Sequence, residues 1–152
     1  MLPKTSPAPL PDFEDEATLY SLSSEFFEAA RVLINTSPIR TNYALVTYYL
    51  SGHTAELLLK SFLFKNGDTI EDLRKRYGHD LKFLIRRARL KGLPISIATA
   101  QMQALSGIYC KKRTEYRKKT KLHFPPLDLL FKEISALQVH VFDQIVDFNE
   151  FR

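Results

Sequence analysis

LDLLFKEISALQVHVFDQIVDF, residues 127–148, carries the pattern on which the fold turns. Its apolar residues Leu127, Leu130, Ile134, Leu137, Val141, Ile145 and Phe148 are spaced three, four, three, four, four and three apart. A helix repeats every ~3.6 residues, so all seven fall on one stripe. The same spacing makes a coiled-coil-like seam, suited to packing inside a bundle or against a partner helix. Pro125-Pro126, just before it, ends whatever helix precedes.

Working back along the chain, the same periodicity recurs. A first helix is expected from about residue 15 to 35, with the stripe Leu19, Leu22, Phe26, Ala30 and Leu33. Ser37-Pro38 reads as an N-cap followed by Pro at the first helical position of a long second helix. That helix ends at Asn66-Gly67. Its stripe is Leu45, Tyr49, Gly52, Ala55, Leu59 and Phe62. Gly52, in the interior, costs about 1 kcal/mol relative to Ala and so suggests a close helix–helix approach. A short helix over 69–76 is halted by Tyr77-Gly78. His79 or Asp80 then caps a helix through Lys91 whose core face is Leu81, Leu84, Ile85 and Ala88. Another starts near Ser96 and carries Ala98, Met102, Leu105 and Tyr109 on one side. No segment shows sustained strand-like alternation, so the expected class is all-α, an up-and-down bundle of four to five helices.

Composition bounds the rest. The 152 residues are 45% hydrophobic, enough for one domain with a real core. Residues 1–12 hold four of the eight prolines and read as a disordered tail ahead of a single helical domain, 13–152. The first residues lack the apolar region of a secretory signal, and no apolar run reaches the roughly 18 residues a membrane span needs. The lone Cys110 excludes an internal disulfide framework and fits a reducing compartment. A cytoplasmic protein with no membrane partner is expected.

The net charge of +5 is concentrated in KKRTEYRKKTKLHF, residues 111–124. Seven Lys or Arg residues occupy the eleven positions from Lys111 to Lys121, against one Glu115. Cations so close repel one another, and phosphate is the partner that suits them best. Arg117 stands six positions before His123. Arg grips phosphate in a fixed fork and His moves protons near neutral pH, so the two suit phosphodiester chemistry. A second basic zone comprises Arg74, Lys75, Arg76, Lys82, Arg86, Arg87, Arg89 and Lys91. Most of it reads as a solvated helix face. There is no Gly-rich phosphate loop and no GxSxG, and the four histidines have no zinc-like spacing, so no metal or cofactor is expected. His53 and His140 read as helix-face residues, and His79 as a helix-capping residue.

Three pieces together resemble the HEPN superfamily (higher eukaryotes and prokaryotes nucleotide-binding domain). SGHTAELLLKSFLFKNG places Glu56 and Lys60 one turn apart, similar to the acidic-then-basic pair of that family. KRYGHDLKFLIRRARLKGL resembles its Gly-His-Asp-Leu helix start. Arg117 to His123 resembles its Arg-then-His motif, just ahead of the final helix. The resemblance spans about residues 38–148. It implies an RNA-binding helical bundle, in active members a metal-independent endoribonuclease of toxin–antitoxin or defence type. It makes Arg117 the phosphate-charge stabiliser, His123 the proton shuttle and Glu56 a polar partner. Tyr116 would stack on a base, and Lys111, Lys112, Lys118, Lys119 and Lys121 would hold flanking phosphates. It also implies a homodimer, and an antitoxin or nucleotidyltransferase as partner. Lys118 stands where active members often carry Asn, Asp or His. The alternative is therefore a catalytically degenerate RNA- or nucleotide-binding module, or a protein-interaction module.

Overall fold

The computed structural model describes residues 15–36, 44–109 and 123–146. They form five α-helices and one short π-helical turn, with no strand among the described residues. The helices are α1 (Glu16–Asn35), α2 (Ala44–Lys65), α3 (Leu81–Leu90), α4 (Ala100–Tyr109) and α5 (Leu127–Ile145), and the π-helical turn is Asp72–Arg76. The proline-rich start and Phe148 lie outside the described residues. No described helix is long and apolar enough to cross a membrane.

Side-chain contacts fix the helix directions. Ser61 Oγ donates to the Glu16 carbonyl, and Lys65 pairs with Glu16, so α1 and α2 run antiparallel. Glu56 meets His79 and Asp68 meets Arg87, which sets α3 parallel to α2 once the π-helical turn has carried the chain back. The Lys82 N–H meets Ser106 and Arg89 meets Thr99, so α4 opposes α3. Tyr48 meets Pro125 and Asn66 meets Gln144, so α5 descends beside α2. The result alternates up and down, the π-helical turn serving as one passage.

α2 is the hub. Thirteen of its residues are buried, from Thr47 to Leu63, because α1, α3, α4 and α5 all pack on it. The single stripe expected from Gly52, Ala55, Leu59 and Phe62 is therefore only part of its buried surface. The α5 seam is core: Leu130, Ile134, Leu137 and Val141 are fully buried, so these positions offer no face to a second copy. The α3 face is buried as its spacing requires, at Leu81, Leu84, Ile85 and Ala88.

Two helices depart from expectation. α1 buries Leu19, Ser23, Phe27 and Ala30, whereas Leu22 is 39% exposed. Both stripes share Leu19 and Ala30; packing of Phe27 on Phe131 of α5 selects the rotation. α4 begins at Ala100, not near Ser96, and Ala98 is exposed ahead of it. The start is set by a distant residue, since the Glu133 carboxylate on α5 accepts from the Gln101 and Met102 N–H groups at 2.9–3.0 Å. Asp80 rather than His79 caps α3, accepting from the Phe83 N–H at 3.1 Å. Gly67, at φ +105°, supplies the left-handed residue that ends α2.

Candidate functional site

Glu56 is 2% exposed, on the α2 face shared by α3 and α4. A lone buried carboxylate is costly, so its neighbours decide what it does. Lys60, one turn on, donates to Oε1 at 2.7 Å. His79, in the turn before α3, reaches the same oxygen through Nδ1 at 2.8 Å. Tyr109, the last residue of α4, donates its hydroxyl to Oε2 at 2.5 Å. His53, one turn before Glu56, places Nδ1 2.5 Å from the Tyr109 oxygen and 3.4 Å from Oε2. Burial pushes the Glu56 carboxyl up. The contact from His53, the charge and hydrogen bond of Lys60 and the hydrogen bond from Tyr109 outweigh it and hold the group at about 2.

Proton positions follow from this. An ionised carboxylate only accepts, so His79 Nδ1 and the Tyr109 hydroxyl both carry protons toward it. The Tyr109 proton being committed to Glu56, its oxygen accepts from His53 Nδ1–H. In the neutral imidazoles each Nε2 is then left as an acceptor, and neither Nε2 has a hydrogen-bond partner among the described residues. The two rings lie 6.5 Å apart between centroids, with side-chain exposures of 26% for His53 and 55% for His79. Phe26 meets His53 edge-on at 4.6 Å, and Tyr49 stacks on it at 5.8 Å.

Gly52 makes room for this arrangement. A Cβ there would lie 2.5 Å from the Tyr109 ring, so only glycine lets the ring pass over α2 to reach Glu56. The close approach expected at Gly52 is real, but the visitor is a side chain rather than a helix backbone.

The described chain stops at Tyr109 and resumes at His123. Both flanks are fastened to α2: Tyr109 at Gly52 and Glu56, and Phe124 by stacking on Tyr48 at 4.5 Å. The Tyr48 hydroxyl also donates to the Pro125 carbonyl. Tyr48 and Glu56 are eight positions apart, about 12 Å along the helix axis. His123 is exposed. Arg117, Tyr116, Lys111, Lys112, Lys118, Lys119, Lys121 and Cys110 lie outside the described residues.

In the second basic zone Arg74, Lys75, Arg76, Lys82 and Arg86 are exposed, as a solvated face requires, whereas Arg87, Arg89 and Lys91 are structural. Arg87 grips Asp68 through two nitrogens at 3.0 and 3.2 Å, joined by Lys91 at 3.5 Å and the Tyr77 hydroxyl at 3.1 Å. Arg89 donates to the Pro94 and Ile97 carbonyls, and Lys75 and Arg76 pair with Glu71 and Asp72.

Of the residues singled out by sequence, Glu56 is central. The reading of Glu56 as one half of an intrahelical pair with Lys60 is right but incomplete. His53, His79 and Tyr109 were assigned no part in a site. The sequence signal for it is His53, Glu56 and Lys60 at i, i+3 and i+7 on one helix face; the approach of His79 and Tyr109 is tertiary. No group of acidic, His or Cys residues among the described residues has the makings of a metal site. No family model, no curated protein and no solved structure matches this chain.

Proposed function

We propose that this chain is a HEPN-like RNA-binding protein whose phosphate-binding element is the cationic segment from Lys111 to Lys121. The observation that carries the reading is the anchoring of that segment's two flanks, Tyr109 and Phe124, on one helix beside the buried Glu56. The residues on either side of the densest positive charge of the sequence are thereby held on one helix, Tyr109 at its polar centre. Phosphate neutralisation with release of counterions supplies the affinity, and Tyr116 supplies a stacking surface.

A second reading makes this surface a metal-independent endoribonuclease. It is favoured by the exposed His123 imidazole immediately after the segment, where the HEPN resemblance puts the proton shuttle. RNA contains its own nucleophile, the 2′-hydroxyl, so Arg117 would stabilise phosphate charge and His123 would move the proton. The test is incubation of single-stranded RNA with purified protein in EDTA. Cleavage to 2′,3′-cyclic phosphate ends is expected, with DNA untouched. His123→Ala should abolish cutting and keep binding, and Arg117→Ala should weaken both. Binding without cutting leaves the RNA-binding reading alone; absence of binding removes both.

A further inference from the structure

The arrangement around Glu56 brings two imidazoles, a carboxylate and a phenol into one hydrogen-bonded group, the side chains best suited to moving protons. Its carboxylate holds two imidazoles by the same ring nitrogen. His79 Nδ1 reaches Glu56 directly at 2.8 Å, and His53 Nδ1 reaches it through the Tyr109 hydroxyl, in two hydrogen bonds of 2.5 Å. Holding Nδ1 fixes the tautomer and aim of each ring and leaves Nε2 for chemistry. Both rings reach solvent, whereas the carboxylate and phenol beneath them are buried. The ring centroids lie 6.5 Å apart, near enough for two oxygens of one phosphate lying over the solvent side of the pair to be served by different rings. The Tyr109 backbone leads directly into the cationic segment.

We propose that His53 and His79 form the acid–base pair of an RNA-cleaving site, taking a phosphodiester of single-stranded RNA between their Nε2 atoms, with Glu56 and Tyr109 as positioning residues. The proposal rests on RNA being the ligand and does not use the Arg117–His123 motif. In this role His53 takes the part of base and accepts the proton of the 2′-hydroxyl. That oxygen attacks the adjacent phosphorus, forming the O2′–P bond as the P–O5′ bond breaks. His79 takes the part of acid and gives an Nε2 proton to the departing 5′ oxygen. The products are a 2′,3′-cyclic phosphate and a 5′-hydroxyl. One proton enters and one leaves the pair, and a return transfer through water resets it. Lys60, Tyr49, Tyr109 and Glu56 are the other titratable groups around the two rings, and Asp80 follows His79 in the chain.

The test uses the full chain and a single-stranded oligoribonucleotide in EDTA, measuring affinity and the single-turnover rate across pH. The variants are His53→Asn, His79→Asn, His123→Ala and Val139→Asp. Asn keeps a donor where Nδ1 stood and removes Nε2, so the fold is retained, as thermal unfolding will confirm. Each Asn variant should lose about 10²–10⁴-fold in rate with affinity unchanged. The parent's bell-shaped pH profile should lose its acidic limb in His53→Asn and its alkaline limb in His79→Asn. Val139→Asp, at an exposed α5 position outside both sites, should keep the parent's profile. Cleavage abolished in His123→Ala but kept in both Asn variants overturns the pair and leaves a nuclease centred on His123. RNA bound but uncut by the parent overturns the pair and leaves the RNA-binding reading standing. No RNA bound overturns both.

Discussion

Glu56 concentrates the physics of this protein in one side chain. Its carboxyl is held at about 2, against an ordinary 4.5, by partners that outweigh the cost of burial. A carboxyl depressed on folding stabilises the native state above its unfolded value and loses that contribution as pH falls through its folded value. The window is therefore about pH 5 down to 2. A depression of this size corresponds to about 3 kcal/mol. Asp68, buried under Arg87 and also lowered, acts in the same direction. Urea-unfolding midpoints measured from pH 7 to pH 2 should decline across this window. In Glu56→Gln the neutral-pH midpoint should fall and the acid decline should become shallower. An acid decline as steep as the parent's would mean that Glu56 is not the depressed group. The helical neighbours of Glu56, His53 and Lys60, are readable in the sequence as positions on one face. His79 and Tyr109 are not, because only the folding of α3 and α4 against α2 brings them there.

Among the helices, periodicity makes most of the buried faces legible. The α3 face follows from its spacing, as does the central part of the α5 seam, since each helix has one clear apolar stripe. α1 is ambiguous, because Leu22 and Phe27 belong to equally good stripes and packing against α5 decides between them. The α4 start is illegible locally, since its cap is Glu133, far along the chain on α5. The seam itself has a direct test. Leu137 is fully buried, so Leu137→Asp puts an unpaired charge into the core and should abolish the cooperative helical unfolding transition, a cost of several kcal/mol. Val139 on the same helix is exposed, and Val139→Asp should change stability by less than about 1 kcal/mol. A Leu137→Asp protein that stays folded, seen by circular dichroism, would show that the seam is not the core.

Over the whole molecule, the described helices are organised on α2, and the residues that flank the cationic stretch, Tyr109 and Phe124, are fastened to two points of that helix. The frame explains why Gly52, Tyr48 and Glu56 all sit on α2: Gly52 and Glu56 receive Tyr109, and Tyr48 receives Phe124. Charge is the ground for the proposed ligand, since seven cations in eleven residues suit a polyanion whether or not any bond is cut. The decisive quantity is the affinity for single-stranded RNA as a function of salt, for the parent and for a triple variant with Lys118, Lys119 and Lys121 replaced by Ser. Removing one neutralised phosphate should reduce the logarithmic salt slope by about 0.7. The parent should bind tightly and with steep salt dependence, and the variant should show both weaker affinity and a shallower slope. Equal affinity and an equal slope in the two proteins would contradict a phosphate-binding role for the segment.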